Sequence, residues 1–344
     1  MIIRLPMTAT TNQQRPLPRT FALGSPITLL ITVISLLACI SDKSYAAPKG
    51  FSWVDCGDEK LCLQEQGKEV MTFQLAPKTL NGKFSRANYV HPLYDPSGDI
   101  VTEDFPKDHR HHRGIFWAWH QLILNGEQTS DQWECRGIEW KTPKSPGDWV
   151  KTHADSHSAN MNVVRDWVVA NPDGTAPSLR LVRETVGITV WPSKPNVRIL
   201  DFDLRFRALM EGVSIGGSDD VKGYGGFSPR VKLANDVKFI GRNGDVKPQR
   251  LAAVEGGPWV DVVGTFDGEQ KGTTIMVHPS HPNFPLKWIL RPKGSMQNAQ
   301  WPGREPVNLS TQTDTRLRYR LILHTGELER DVIESIWKDY ASRI

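Results

Sequence analysis

Alternating apolar and polar positions are the most regular pattern along this chain. Between residues 197 and 210, Leu200, Phe202, Leu204 and Phe206 alternate with charged side chains, which is the period of two expected of a half-buried strand. Similar runs recur at residues 70–75, 115–123, 163–169, 179–191, 260–266, 273–278 and 317–323, with turn clusters such as NPDG, EGGP and RNGD along the chain. This spacing predicts an all-β fold of antiparallel sheets packed as a sandwich.

One segment has the apolar spacing of a helix. Within residues 327–342, five apolar side chains fall on one helical face: Leu328, Val332, Ile333, Ile336 and Tyr340. The chain is therefore predicted to end with a helix packed against a sheet. The glycine-rich residues 211–236 predict a long irregular connection around GYGGF. Because neither a repeat nor a linker divides residues 47–344, we expect them to form a single β-sandwich domain.

The N-terminal residues have the pattern of an export signal. Arg4, Arg15 and Arg19 precede an apolar run over residues 21–40, and Ser44 and Ala46 are the small residues that a signal peptidase reads. Residues 1–46 are thus a predicted signal peptide, and the mature protein is expected in the periplasm or outside the cell. The alternative is a lipoprotein signal that ends before Cys39, whose acylation would be the protein's contact with a membrane.

Net charge and cysteine content limit the possible partners and the cellular compartment of the protein. The formal net charge is +4, and residues 1–46 hold four basic residues and one acidic residue (4 − 1 = +3), which leaves about +1 for the rest. This charge argues against nucleic acid as a partner. Cys56 and Cys62 have the spacing of a hairpin disulfide, which suits an oxidising compartment, and Cys135 is left over.

Candidate chemistry concentrates in residues 88–122, which hold five of the ten histidines. If DHRHHRG is extended, His109 and His111 share one side and His112 lies on the other. If the segment turns, all three could converge with Asp104 or Glu103 and bind a divalent metal. The alternatives are metal-free proton transfer, with no cofactor, and solvated loop histidines.

Carboxyl groups are candidate partners for these histidines, because breaking a glycosidic bond usually takes two of them. Glu103 and Asp104 lie nearest in sequence, and Asp131, Glu134 and Glu184 are further candidates. Glu184 interrupts an otherwise apolar strand face. It is predicted either to be buried, with a partner or a raised pKa, or to remain solvated beside Arg183.

Aromatic and basic residues favour a carbohydrate ligand, because indole rings suit the apolar face of a sugar. In GIFWAWH, Trp117 and Trp119 share one strand face with Ile115, so both line a cleft or both pack inside. Trp133 follows closely, and His91 and Arg113 flank the histidines. Further candidates for substrate binding come from later segments of the chain: Tyr224, Arg230, His278 and Arg291.

Several motifs together resemble the PmoA-like family of exported bacterial proteins, often labelled "methane oxygenase PmoA". They are HPLYDPSGDIVTEDFPKDHRHHRGIFWAWH, KGYGGFSPR, HPSHPNFP, WILR and LRYRLILHTG. The resemblance covers nearly the whole mature chain and implies a galactose mutarotase-like β-supersandwich. It also implies a link to polysaccharide degradation. The label itself would need several membrane-spanning helices, which the sequence after residue 46 does not offer.

The resemblance marks signature positions without assigning roles to them. They are His91, Asp104, His109, His111, His112, Arg113, Tyr224, Gly225, Gly226, Arg230, His278 and Arg291. Our leading hypothesis is a carbohydrate-active enzyme that acts by hydrolysis, elimination or epimerisation. His111 or His112 would transfer the proton, with Asp104 or Glu103 as its partner. The other hypotheses are a non-catalytic carbohydrate-binding protein and a metal-dependent oxidoreductase.

Overall fold

The computed structural model describes residues 49–170 and 177–343. The predicted signal peptide and Cys39 lie outside the described residues. Within these two ranges, no helix combines the length and the apolar character that crossing a membrane requires.

Strands make up most of the regular structure. In chain order they are β1 (Phe51–Val54), β2 (Lys60–Glu65), β3 (Lys68–Gln74), β4 (Lys78–Leu80), β5 (Lys83–Arg86), β6 (Tyr89–Leu93), β7 (Ile115–Ala118), β8 (Gln121–Leu124), β9 (Glu127–Ser130), β10 (Glu139–Lys141), β11 (Val150–Ala154), β12 (Ala159–Val169), β13 (Leu179–Lys194), β14 (Val197–Ala208), β15 (Val213–Gly216), β16 (Gly226–Pro229), β17 (Lys238–Gly241), β18 (Gly244–Asp245), β19 (Val254–Glu255), β20 (Trp259–Phe266), β21 (Glu269–Val277), β22 (Lys287–Ile289), β23 (Asn298–Ala299), β24 (Val307–Asn308) and β25 (Thr315–Thr325). A helix, α1 (Arg330–Ala341), follows the last strand.

Two large antiparallel sheets form the body of the protein. One has the order β1-β2-β3-β6-β7-β16, and the other has the order β10-β12-β13-β14-β25-β21-β20-β17-β18, with β11 beside β12. Smaller sheets join β24-β15-β8-β9, β19-β22-β23 and β4-β5. The predicted all-β sandwich with a C-terminal helix is confirmed.

Aromatic rings fill the space between the two large sheets. Phe202 of β14 packs against Trp117 of β7 and Phe227 of β16, with ring centroids 6.5 Å and 5.1 Å away. Phe227 in turn stacks on Tyr319 of β25 at 4.3 Å. These contacts join β7 and β16 to the centre of the larger sheet, so the two strands form a rigid base for whatever lies on their outer side.

The alternation in β7 separates two clusters of side chains. Ile115, Trp117 and Trp119 belong to the core between the large sheets. Phe116 and Ala118 belong to a second cluster on the opposite face. This is the division between faces that the sequence predicts. It is also the division that decides which residues can reach the candidate site.

Two predictions about strands need correction. The run over residues 115–123 is two strands, β7 and β8, which belong to different sheets. The prediction of an irregular connection over residues 211–236 is wrong in part, because it contains β15 and β16. Both are only four residues long, and their glycines mask the alternation by which a strand is recognised.

Helix α1 packs on the outer face of the larger sheet. Its Ile333 and Tyr340 are buried against Trp259, Met276 and Ile322, as the apolar spacing of the sequence predicts. At the other end of the described chain, Cys56 and Cys62 are joined by a disulfide beside the β1–β2 pair. Cys135 is a free thiol.

Candidate functional site

The segment DHRHHRG turns instead of running as a strand. The backbone N–H of His112 donates to the carbonyl oxygen of His109 at 2.9 Å. The rings of His109 and His112 stack with centroids 4.6 Å apart and planes 3° apart. The His111 ring stands perpendicular to both, 4.6 Å from the centroid of His112. The structure therefore brings the three predicted histidines together.

These histidines line a cavity of about 300 Å³ on the outer face of the six-stranded sheet that contains β7 and β16. Its other lining residues come from the loops after β9, before β16 and after β22: Trp133, Glu134, Lys222, Tyr224, Arg291, Ser295 and Met296. Trp133 and Met296 pack on Phe116 and Ala118 of β7, with Tyr224 against the same cluster. The cavity thus lies on the face of β7 that points away from the central core.

Trp133 is the central ring of the aromatic cluster that lines this cavity. It is 1% exposed, and its indole meets the rings of His112 and Tyr224 edge to face at centroid distances of 5.7 Å and 4.9 Å. The ring of His120 stacks on the indole with centroids 5.5 Å apart, and Nδ1 of His120 lies 3.0 Å from Oδ2 of Asp131. Edge-to-face and stacked contacts of this kind fix ring orientation. Trp133 therefore positions a histidine and a tyrosine at the cavity.

His111 is the histidine best placed to exchange a proton with a ligand. Its side chain is 14% exposed, and Nδ1 lies 3.7 Å from Oε2 of Glu134. Burial lowers its pKa to about 4, although the nearby carboxylate acts in the opposite direction. The imidazole is therefore neutral near neutral pH and can accept a proton.

His112 lies deeper. Burial lowers its pKa well below 6.5, and the neighbouring His111 and His109 act in the same direction. Its Nδ1 is buried and has no hydrogen-bond partner among the described residues. Unpaired buried polar atoms are uncommon in proteins, and each calls for an explanation such as a bound water or a ligand.

Asp104 and Arg113 belong to a separate buried cluster. Nε of Arg113 donates to Oδ1 of Asp104 at 2.5 Å, and Nζ of Lys78 donates to Oδ2 at 2.8 Å. The guanidinium also donates to the carbonyl of Phe84 and to the hydroxyl of Tyr89. These contacts hold neighbouring loops together, and neither residue lines the cavity.

Glu103 and Arg230 do not line the cavity but belong to an ion-pair network that holds the histidine turn. Nε of Arg230 donates to Glu103 at 2.8 Å, while its two Nη atoms hold both oxygens of Asp108 at 2.9 and 2.8 Å. Oδ2 of Asp108 lies 2.7 Å from Nδ1 of His109. Arg230, 1% exposed, thus links the end of β16 to the turn and holds His109 through Asp108.

Trp117 and Trp119 are buried in the core rather than in the cavity. Trp117 donates its indole N–H to Glu184, and Trp119 donates to the carbonyl of Trp301 at 2.9 Å. Glu184 is fully buried, as one of the two alternatives predicts. It also accepts N–H groups from Trp140 at 3.1 Å, Trp167 at 2.7 Å and Asn88 at 3.1 Å. Burial raises the pKa of Glu184, and these hydrogen bonds oppose the rise.

His91 and His278 also lie outside the cavity. Nδ1 of His91 lies 2.9 Å from the hydroxyl of Thr102, and burial lowers its pKa to about 4. His278 contacts Arg318 and the backbone carbonyl of Arg343, near the end of α1. The later segment WILR does reach the cavity, because Arg291 lines it.

Within residues 49–170 and 177–343, no group of three or more His, Cys, Asp or Glu side chains is arranged to hold a metal ion. Asp104, the carboxylate considered as a fourth ligand, is engaged by Arg113 and Lys78 instead.

Some lining residues were not identified from the sequence. In the sequence Glu134 is only one of several candidate acids, and Lys222 lies just before the GYGGF motif without a signal of its own. Ser295 and Met296 carry no signal in the sequence, because they reach the cavity only through the way the loop after β22 folds.

The fold and the site together define an all-β sandwich protein with a histidine-lined cavity on the outer side of one sheet. Residues 60–338 match the family of unknown function DUF6807, and the chain belongs to that family. A search of curated proteins found no match. The relationship to PmoA-like proteins stays a prediction.

Proposed function

We propose that this protein is an exported carbohydrate-active enzyme that removes a proton from a carbon of a sugar, with His111 as the base. The observation that carries the proposal is the neutral His111 imidazole beside Glu134 in a cavity. A base needs a free lone pair at the working pH, and with its pKa at about 4 the His111 imidazole is unprotonated there.

Glu134 would orient the base. With Nδ1 of His111 facing the Glu134 carboxylate at 3.7 Å, the favoured tautomer carries its proton on Nδ1. Nε2 then holds the lone pair that accepts the substrate proton. The carboxylate also stabilises the imidazolium that forms, as a histidine's carboxylate partner commonly does.

The carboxyl content of the cavity favours proton abstraction over hydrolysis. Hydrolysis of a glycosidic bond usually uses two carboxyl groups. Among the described residues, only Glu134 contributes one to this cavity. Elimination next to a carboxylate, and epimerisation at the same carbon, begin with removal of a carbon-bound proton, a step in which a neutral histidine can act as the base.

Other lining residues suit a sugar. The hydroxyl groups of Tyr224 and Ser295 and the ammonium of Lys222 are polar groups in a cavity that also holds the apolar Met296, the mixture expected of a small-molecule site. The resemblance to PmoA-like proteins, and through it to mutarotase-like sandwiches, supports the same substrate class.

The test uses a double variant, His111→Ala with His112→Ala, against a glycan library screened for unsaturated and epimerised products. The wild type is expected to convert at least one glycan, and the double variant to lose that turnover while it still shows a cooperative thermal unfolding transition. His157→Ala is the matched control, because His157 is 88% exposed and lies outside the cavity. Full turnover by the double variant would show that the base lies elsewhere.

A further inference from the structure

Arg291 is held at the cavity by backbone carbonyl groups. Its Nη1 donates to the carbonyls of Gln249 and Leu290 at 2.8 and 2.9 Å, and its Nη2 donates to Arg250 at 3.2 Å. Within the described residues, its Nε has no acceptor and no carboxylate lies within ion-pair distance of the guanidinium. The N–H on Nε and one of the two N–H groups on Nη2 therefore have no partner among the described residues. Nε and Nη2 together form one edge of the guanidinium.

The same edge binds carboxylates elsewhere in this protein. Nε and Nη2 together hold both oxygens of one carboxylate in five cases: Arg183 with Asp166, Arg205 with Asp203, Arg242 with Glu334, Arg316 with Asp203 and Arg320 with Asp201. This two-point contact is the geometry by which arginine recognises planar anions. Arg291 presents the edge without the anion.

The backbone of Arg291 is fixed before any ligand arrives. Its N–H donates to Oε1 of Gln297 at 2.8 Å, and Nε2 of Gln297 donates back to its carbonyl oxygen at 2.9 Å. Gln297 is fully buried. A donor that is held in place loses little entropy when it binds, so its hydrogen bonds contribute more of their energy to affinity.

Arg291 is also the cation of the cavity that lacks a counterion. Lys222 lines the same cavity, but its Nζ pairs with Oδ2 of Asp220 at 2.8 Å. Half-buried Arg291 has no such pair among the described residues. A partly desolvated charge is stabilised by an opposite charge, and a ligand can supply it.

We propose that Arg291 binds the carboxylate of a uronic acid, so that the substrate is an acidic glycan. This inference rests on the proposed function, because it takes the cavity as the sugar site. It also identifies the proton that His111 removes: the one on the carbon next to the carboxylate. Neutralising the carboxylate makes that proton more acidic, because negative charge develops on the group as the proton leaves.

The resulting step is an elimination. His111 takes the proton, and the electron pair of the broken C–H bond forms a double bond to the neighbouring carbon. The glycosidic C–O bond on that carbon breaks, and the departing oxygen receives the proton from His111. No water is consumed, and the products are an unsaturated uronate and a sugar with a free hydroxyl group.

The test compares acidic oligosaccharides with their neutral counterparts. Oligogalacturonates, glucuronoxylan fragments and alginate fragments are each paired with the same material after its carboxyl groups have been reduced to alcohols, and sulfated neutral oligosaccharides form a third arm. Affinity is measured by calorimetry, and elimination by the ultraviolet absorbance of the new conjugated double bond. Wild-type protein is expected to bind an acidic member at least about tenfold more tightly than its reduced counterpart.

Two substitutions separate recognition from folding. Arg291→Gln is expected to weaken binding of the acidic glycan by about 10- to 100-fold and to leave the reduced glycan unchanged. Arg291→Lys keeps the charge but cannot make the two-point contact, so its affinity for the acidic glycan should lie between those of the wild type and Arg291→Gln. Arg207→Gln, which removes an arginine of β14 that lies outside the cavity, is the control.

The outcomes distinguish the two proposals. Equal turnover of acidic and reduced glycans would overturn the role of Arg291 and leave the proposed function standing. If Arg291→Gln weakened binding of the acidic and the reduced glycan equally, Arg291 would only support the loop. If the protein preferred sulfated oligosaccharides, the anion that Arg291 binds would be a sulfate and the proposal of a uronic acid would be wrong. If no glycan of any arm binds, the proposed function fails together with this inference.

Discussion

The carboxylate of Glu184 accepts the indole N–H of Trp167 at 2.7 Å inside the core between the two large sheets. Trp117, Trp140 and Asn88 donate to the same carboxylate. A fully buried carboxyl is costly unless its oxygens are satisfied. Here four donors converge on it. Trp140 and Trp167 come from strands of the same sheet as Glu184, Trp117 comes from β7 of the opposite sheet, and Asn88 lies just before β6 of that sheet.

Glu184→Gln is therefore expected to destabilise the protein. An amide offers one acceptor oxygen, and its NH₂ group would face indole N–H groups that need an acceptor. Leaving such donors unsatisfied costs about 1–3 kcal/mol. Urea unfolding measures the loss, with the exposed Glu139→Gln as the matched control. An unchanged midpoint for Glu184→Gln would contradict the role of Glu184 as a hub of the core.

The pKa of His111 sets an expected acid limit for activity. Because burial lowers that pKa to about 4, the base stays neutral through the range around neutral pH and becomes protonated as the pH falls through about 4. We expect turnover to halve near that pH. The profile is measured on the converted glycan, and an acid limit near 6.5, the value of an ordinary histidine, would mean that His111 is not the base.

The titration of His111 should also make the unfolding free energy depend on pH. In the unfolded chain His111 binds its proton near pH 6.5, but in the folded protein only near pH 4. Between these values the unfolded state holds more protons, so the unfolding free energy rises as the pH rises from about 4 to about 6.5. His91 and His281, whose pKa values burial also lowers to about 4, add to the same slope.

His324 is expected to give the opposite slope. Burial favours its neutral ring, but the hydrogen bond to Asp261 at 3.2 Å and the charge of that carboxylate raise the pKa above its usual value. Nδ1 of His324 also lies 3.0 Å from the carbonyl oxygen of Gly326, so both ring nitrogens face acceptors. The stabilisation from protonated His324 is fully present below about pH 6.5 and is lost as the pH rises through the raised value.

A comparison of the wild type with His324→Gln isolates the stabilisation that protonated His324 contributes. The difference in unfolding free energy between wild type and variant should be largest at acidic pH and shrink as the pH is raised past 6.5. Chemical unfolding at several pH values provides the measurement. If the difference stayed constant across that range, the pKa of His324 would be the same in the folded and unfolded protein, and Asp261 would not raise it.

Gly114 sits where the histidine turn enters β7, and its φ is +47°. A Cβ atom at this position would overlap the carbonyl oxygen of Val90 on the neighbouring strand. Gly114→Ala should therefore cost at least about 1–3 kcal/mol of stability, from the left-handed backbone and the clash together. Thermal unfolding tests this, with Gly126→Ala as a control that has the same kind of φ but open space around it.

The sequence predicts those features that depend on local periodicity. The strand over residues 197–210 is found as β14, Val197–Ala208, and the terminal helix as α1, Arg330–Ala341. The division of Trp117 and Phe116 between two faces is likewise a property of one strand. Such features follow from neighbouring residues alone, so one sequence is enough to find them.

Partner choice is the part that the sequence could not predict. Asp104 is close to the histidines in sequence, yet it pairs with Arg113, and the cavity's carboxyl comes from Glu134 on another loop. His278 lies in a histidine-rich motif but packs near the end of the helix, whereas Arg291, thirteen residues further along, reaches the cavity. These pairings depend on how loops from distant strands cross, which periodicity does not encode.

Strand β7 serves the interior with one set of side chains and the histidine cavity with the other. Inserting or deleting a single residue there would exchange the two sets, because successive side chains in a strand point to opposite faces. The buried carboxylate would lose its Trp117 donor in the same event that removed Phe116 from beneath the cavity. Substitutions can alter either side separately, but the length of this strand is common to both.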